Sequence, residues 1–424
     1  MPLQDIVRAK PQNYLLFPAA ARAGDYVFTS SIYPVGENGE AERASPRLGY
    51  LAQSDMEVQT ERCVHNLALA LRELGSSLRG IIKVDVHLAR AQDFYEFKRA
   101  WRKLFPLDLP AMTVIEVGEC FPVPGALLNI DAVALIDGSN EIRQVLSDPD
   151  GSDPTNAEAA VHAVRAGNLV FCSGFTASNF QTGLAVGRLP GFPNYGSEGA
   201  MQAEYVFERM NRVLAQAGTS LDQTVETQLY FPNMKHFHDV DTVWGRFTGL
   251  PPARAAIEIK GSTVPGAHFV PNPIVLVPDA RHKKLDSIAG IPWHPKEKKV
   301  NYSPTIKAGD WRFFAGQVSC ENFKDMVTGP PDLPNHFSSV EIQTRFVLDM
   351  LTRQLEANDT DWNHCIHARV FLTEPTRDYR AFARAWHAFF IDPSRAPAVS
   401  FVPSIGTPFS GPLVEIDPTA IARH

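Results

Sequence analysis

Apolar positions along the chain follow two periods, one of two residues and one of three to four, and these alternate in a fixed order. A turn and a short apolar run, the pattern of a strand hairpin, occurs as "AGDYVFTSS", "AGNLVFCSG" and "AGDWRFFAG". Their glycines, Gly24, Gly167 and Gly309, are spaced by 143 and 142 residues. Each hairpin is followed by a long segment with apolar residues three and four apart: "VQTERCVHNLALALRELGSSL", "AEYVFERMNRVLAQAGTSL" and "IQTRFVLDMLTRQLEANDTDW". That spacing predicts a helix with one buried face. Gly75, Gly218 and Asn358 stand where these helices should end, glycine and asparagine being the residues that best accept a left-handed helix terminus.

A strand comes next in each copy ("VDVHLAR", "VETQLYF", "ARVFLTE"), then a second helix marked by Trp101, Trp244 and Trp386, which we read as core residues. Two further strands close each copy. The predicted unit is β-β-α-β-α-β-β, an α+β layer with two helices covering one face of a sheet. A period near 142 residues is too long for a solenoid repeat, so the chain reads as three tandem domains, residues 1–138, 155–279 and 298–424. The stretches between them are polar and contain proline, as expected of connections.

Composition narrows the function classes. Hydrophobic residues make up 44% and charged residues 21% of the 424, which excludes a disordered or fibrous chain. A formal net charge of −7 argues against a surface that tracks nucleic-acid phosphates. The first residues lack the pattern of a signal peptide, and no run is apolar and long enough to span a membrane. Five cysteines, Cys63, Cys120, Cys172, Cys320 and Cys365, are scattered without a CxxC pair, the usage of a reducing, cytoplasmic setting. His364 and His367 lack metal-type spacing, His236 and His238 read as helix-start residues, and Cys172 as a buried apolar one. There is no phosphate-binding glycine loop, dinucleotide fingerprint or nucleophile elbow.

The first closing strand differs between copies in one telling place. It reads "LPAMTVIEV", "PPARAAIEIK" and "APAVSFVPS", and only the middle one carries an arginine, Arg254. Together with the "AG(D/N)xxFxSG" start, "GSSL", "DFxxFxxxW", "PPAR" and "PGALLxIDAVAL", this order resembles the RidA (YjgF) family of enamine/imine deaminases, three times over. The resemblance implies chorismate-mutase-like domains, which in that family form homotrimers with ligand clefts between subunits. Here it implies an intramolecular pseudo-trimer, with higher oligomers left open. It also implies a small carboxylated substrate, no metal and no organic cofactor.

Family clefts use an arginine to hold the substrate carboxylate, with a tyrosine, a serine and a glutamate beside it. Position by position, the arginine becomes Met112, Arg254 and Val399; the tyrosine Phe17, Ala160 and Tyr302; the serine Ser30, Ser173 and Ala315; the glutamate Asn129, Val270 and Glu415. No copy keeps the whole set. If a cleft takes its arginine from one domain and the rest from the next, Arg254 meets Tyr302 and Glu415 once, between the second and third copies. Glu415 and Tyr302 are then the expected catalytic groups, and Arg254, Ser30 and Ser173 the expected substrate contacts. In a second arrangement the two closing strands pair as a hairpin, Arg254 faces Val270, and no family-like site exists. Three functions compete on these grounds: a cofactor-independent imine/enamine hydrolase (deaminase), a non-catalytic small-molecule binder, and a hydrolase or isomerase with a remodelled cleft. The long loops rich in Gly, Pro and aromatics at 179–202 and 320–341 are expected to cover a cleft.

Overall fold

Three short strand hairpins, each backed by two helices, form where the two periods place them. The computed structural model describes residues 6–10, 17–45, 53–148, 159–179, 183–184, 196–291, 300–320, 326–329, 332, 336 and 338–423. Most of the two expected cover loops, and residues 149–158 and 292–299 of the connections, lie outside these residues. The first repeat contains β1 (Val7–Arg8), β2 (Ala20–Ala23), β3 (Tyr26–Thr29), α1 (Asp55–Glu73), β4 (Ser76–Leu88), α2 (Phe94–Leu104), β5 (Ala111–Glu116) and β6 (Leu128–Ile136). The second has β7 (Arg143–Leu146), β8 (Ala163–Ala166), β9 (Leu169–Cys172), α3 (Glu198–Ala215), β10 (Thr224–Phe231), α4 (Phe237–Phe247), β11 (Ala253–Glu258) and β12 (Val270–Leu276). The third has β13 (Lys284–Ser287), β14 (Thr305–Ala308), β15 (Trp311–Phe314), α5 (Ser339–Glu356), β16 (Cys365–Leu372), α6 (Pro375–Phe389), β17 (Ala398–Pro403) and β18 (Val414–Ile421).

Each repeat has the predicted unit plus an edge strand, β1, β7 or β13, ahead of the hairpin; two-residue strands also form at Ser178–Asn179, Gly183–Leu184 and Gly261–Ser262 in the second repeat and at Gln317–Val318 in the third. Strand order is the same three times: β1-β2-β3-β6-β4-β5, β7-β8-β9-β12-β10-β11 and β13-β14-β15-β18-β16-β17. The final pair of each row runs parallel and its other pairs antiparallel. A capping box starts α1, where Ser54 Oγ accepts the Glu57 N–H and the Glu57 carboxylate accepts the Ser54 N–H. Gly75 and Gly218 end α1 and α3 with φ of 78° and 73°. In the third repeat this role falls to Asp359 (φ 60°) rather than Asn358. The buried Asn358 amide donates instead to Gln354 O and Ala289 O (2.7 and 3.1 Å). Trp101, Trp244 and Trp386 are fully buried between helices and sheet.

The helices lie outside and the three sheets face one another. One apolar cluster joins Tyr26, Phe28, Leu135, Phe171, Leu276, Phe313 and Ile421, drawn from all three repeats. Main-chain seams close the ring: Val161 N–H to Pro110 O (3.2 Å), Ser303 N–H to Pro252 O (2.8 Å) and Ser31 N–H to Val399 O (2.9 Å). The edge strands add cationic clasps to the preceding repeat. Lys284 Nζ donates to Asp222 O (2.6 Å), Arg143 Nη2 to Ile81 O (3.3 Å), and Arg8 Nε to Ala396 O of the third repeat (2.8 Å).

Where the sheets meet, the core is polar. Strand register makes Asp85, Gln228 and Arg369 equivalent, as it does Lys83, Glu226 and His367. Arg369 Nη1 contacts Glu226 Oε1 at 2.8 Å and Nη2 lies 3.5 Å from Asp85 Oδ2. Lys83 Nζ pairs with Asp85 Oδ1 (3.1 Å) and donates to Thr113 Oγ1 and Cys172 O. Asn272 Nδ2 donates to Asp85 Oδ2 and Gln228 Oε1, and Gln228 Nε2 donates to Glu226 Oε1 and Asp417 Oδ2. Burial raises the Glu226 and Asp417 carboxyls, and burial with Asp85 nearby pushes Asp131 up to about 8.

Two outcomes follow from this network. Arg369→Met strands Glu226 without its cation and leaves Asp85 to Lys83 alone, and should lower stability by about 3–5 kcal/mol in denaturant titration. A carboxyl raised in the folded state stabilises below its unfolded pKa and loses that contribution as pH climbs through the folded value. Asp131→Asn should therefore lose less stability than the wild type between pH 5 and 8, measured as the difference in melting midpoint across that range.

Candidate functional site

The strand order settles which residues can meet. β11 and β12 flank β10 on opposite sides, so Arg254 does not pair with Val270 as the hairpin arrangement required. Register puts Asn129, Val270 and Glu415 at equivalent positions: His87 opposes Asn129, Tyr230 opposes Val270 and Phe371 opposes Glu415. β11 is the last strand of its sheet, and its free edge lies against the third repeat, where Gly316 N–H donates to Arg254 O (3.2 Å).

At this seam Arg254, Tyr302 and Glu415 come together from two repeats. The Arg254 guanidinium carbon lies 5.8 Å from the centre of the Tyr302 ring and 5.4 Å from that of Phe237, a cation held between two aromatic faces. Its Nη1 is paired to Asp241 of α4. Asp241 is held in turn by Asn301, whose amide donates to Asp241 Oδ2 (3.0 Å) and to its carbonyl (2.9 Å). Gly245, one turn along α4, leaves room for this, since a Cβ there would strike the Asn301 amide. Glu415 is 5% exposed and backs onto Gly316, where a side chain would run into its carboxyl group.

These surroundings set the protonation states. Burial, reinforced by Asp417, drives the Glu415 carboxyl well above the ordinary carboxylate range, and Arg254 offsets this only in part. Burial likewise raises the Tyr302 phenol, with Arg254 pulling it back. The cleft therefore presents a neutral acid and a neutral phenol beside an arginine already paired with an aspartate.

The other two clefts differ in kind. Between the first and second repeats, Met112, Ala160 and Val270 are buried and apolar. Between the third and first, Val399 and Phe17 take the corresponding places, and Phe17 packs edge-on against Trp386 at 5.4 Å. Asn129 there pairs with His87 (2.8 Å). Ser173 and Ser30 lie in these two clefts, away from Arg254. Ser173 Oγ accepts Met112 N–H (2.8 Å) and donates to Val161 O (2.5 Å); Ser30 Oγ accepts Val399 N–H (2.7 Å) and donates to Pro18 O (2.6 Å). Both hydroxyls are thus engaged in stitching repeats together. A cavity of about 410 Å³ opens elsewhere on the first seam, lined by Gln92, Glu116 and the 261–267 loop, with Glu116 its single ionisable side chain. Of the remaining candidates, His364 pairs with Asp361 (2.8 Å), His367 with Ser400 (2.8 Å), and His236 stacks on His268.

Asp241 and Asn301 escaped the sequence reading, though a signal existed. Counting from the shared tryptophan, Asp241 corresponds to Lys98 and Ala383, so it is an acid only in the repeat that keeps the arginine. Asn301 precedes Tyr302 as Leu16 and Ala159 precede the residues in its column.

Comparison with known proteins shows the family. The sequence profile of the family described as Endoribonuclease L-PSP matches residues 10–136, 151–269 and 295–422. A RutC family protein of Pyrococcus abyssi is 25% identical over 118 residues, 28% of this chain and 84% of that protein. The mitochondrial protein mmf2 of Schizosaccharomyces pombe is 26% identical over 116 residues, 27% of this chain and 83% of that protein. Among solved structures, the YjgF gene product from E. coli is 20% identical, covering 30% of this chain and 93% of that one, with a TM-score of 0.25. Matched along most of its length, once per repeat, the chain belongs to the Endoribonuclease L-PSP family and carries three such domains in one polypeptide.

Proposed function

We propose that the cleft between the second and third repeats hydrolyses an enamine or imine of a small carboxylated metabolite, releasing ammonia and a keto acid. The observation that carries this reading is the meeting of Arg254, Tyr302 and Glu415, contributed by two repeats whose counterparts elsewhere are apolar or differently paired. Arg254, steadied by Asp241 on one side, turns its remaining N–H groups to the substrate carboxylate and fixes the plane of the C=N bond. Glu415 starts as an acid. It gives its proton to the enamine carbon, and as a carboxylate it takes one from the water that attacks the imine carbon. Glu415 then passes that proton to the nitrogen, the C–N bond breaks to release ammonia, and the hydroxyl left on carbon gives its remaining proton to Glu415 and becomes the new carbonyl. Tyr302 holds the nitrogen during these transfers. The reagents are substrate and water alone.

RNA cleavage, the activity in the family's description, is a poorer fit. The net charge is −7 and the arginine in the cleft is already paired with an acid. Five buried, unbridged cysteines favour a reducing compartment, which we take to be the cytoplasm.

The test compares ammonia release from 2-aminoacrylate, generated in the assay, for the full chain and four variants. Arg254→Ala should abolish acceleration, since losing a charge-assisted contact to a carboxylate costs about 2–4 kcal/mol of substrate binding. Asp241→Asn should raise KM more than it lowers kcat, because it loosens the arginine and leaves Glu415 in place. Glu415→Gln should lower kcat and remove the fall in rate that the wild type shows as pH rises through the raised pKa of Glu415. Val399→Ala should change stability alone. Equal behaviour of Arg254→Ala and Val399→Ala would refute a reactive cleft here; pyruvate binding without turnover would leave a binding protein.

A further inference from the structure

The three seams share a hydrogen-bond pattern that is broken once. The residue at the arginine position points its N–H and C=O to the same side of its strand, toward the next repeat. In all three seams the C=O is taken by a main-chain N–H: Gly174 to Met112 O (3.1 Å), Ser31 to Val399 O (2.9 Å) and Gly316 to Arg254 O (3.2 Å). The N–H is taken by a serine hydroxyl in two, Ser173 for Met112 (2.8 Å) and Ser30 for Val399 (2.7 Å). In the third seam the serine position is Ala315, which has no hydroxyl to offer. Among the described residues, no side chain accepts the Arg254 N–H in its place.

The missing oxygen has a definite place. Ala315 is fully buried, and the next residue, Gly316, backs onto the Glu415 carboxyl group. The counterpart of the carbonyls that receive the serine protons, Pro18 O and Val161 O, is that of Ser303, which follows Tyr302. The gap therefore adjoins the acid, the phenol and the arginine of one cleft. A buried N–H without an acceptor is destabilising, and such a group persists where something else takes its hydrogen bond.

We infer that the Arg254 main-chain N–H, freed by alanine at position 315, is a ligand-binding donor that takes a carbonyl or carboxylate oxygen of the bound molecule in the cleft between the second and third repeats. The inference rests on the reading of that cleft as the reactive one. It makes Ala315 a specificity-determining residue: a serine there would close the seam as in the other two and fill the oxygen's place. The ligand class follows from the donors, a small keto or imino acid whose oxygen reaches the main chain while its charge faces the guanidinium.

The decisive variant is Ala315→Ser in the full chain, with pyruvate, the keto acid that hydrolysis of 2-aminoacrylate releases, as the probe. The new hydroxyl should raise the melting midpoint by about 1–3 °C, the scale of one buried hydrogen bond in a chain of this size. Pyruvate binding by calorimetry should weaken at least ~10-fold, the equivalent of about one hydrogen bond lost to the ligand. An unchanged midpoint would mean the N–H already has a partner, and a raised midpoint with unchanged binding would mean the ligand does not use it; either overturns the inference. Should the variant fold poorly, hydrogen exchange at the Arg254 amide of the wild type decides. Saturating pyruvate should slow exchange at least ~10-fold, and no slowing overturns the inference. Failure of the wider reading looks different, because imine hydrolysis would then survive Arg254→Ala whatever position 315 does to stability.

Discussion

Arg369 is buried where the three sheets meet, with Glu226 of the second repeat against one nitrogen and Asp85 of the first near another. A guanidinium there is tolerable because acids from two other repeats face it and because Gln228 and Thr419 donate to Glu226 and Asn272 donates to Asp85. The equivalent positions in the three repeats hold an acid, an amide and a cation. A symmetric ring of any charged one of these would bury three like charges together. The network thus demands unlike repeats in one cyclic order, and the apolar packing around it follows from that order.

Unlike repeats have a consequence for the seams. Two of them use their serines to clasp the neighbouring strand and fill the remaining volume with methionine, valine or phenylalanine. The third gives up a clasp and retains an arginine, a buried acid and a tyrosine, together with an aspartate and an asparagine that steady the arginine. Packing strength and chemical capacity are divided among clefts that would have to share both in a symmetric trimer.

Much of this was legible in the sequence because it rests on periodicity and on columns. The helices, the hairpins, the buried tryptophans and the convergence of Arg254 with Tyr302 and Glu415 all follow from aligning one repeat on the next. The edge strands were not legible, since runs as short as Val7–Arg8 carry no period and Arg143–Leu146 reads as a polar connection. Asp359 displaced Asn358 at a helix end because aspartate also accepts the left-handed region, leaving the asparagine amide free to bond beneath the connection. The polar heart was hidden for a physical reason: alternation in "VDVHLAR" normally marks a strand with one face in water, whereas here Asp85 and His87 face the other two sheets. Asp241 was not legible because it reaches the cleft from a helix, and helix positions belong to none of the strand columns that align the repeats.

The unlike groups at the sheet junction also bear on how such a protein can change over time. Once one repeat carries an acid and another the cation that neutralises it, neither can be exchanged for a copy of the other, and no single repeat retains a surface suited to assembling with itself. Descent from a symmetric ancestor then works as a ratchet: each compensated charge makes the return to three identical subunits harder, and the polypeptide links come to hold together parts that have lost the means of finding one another.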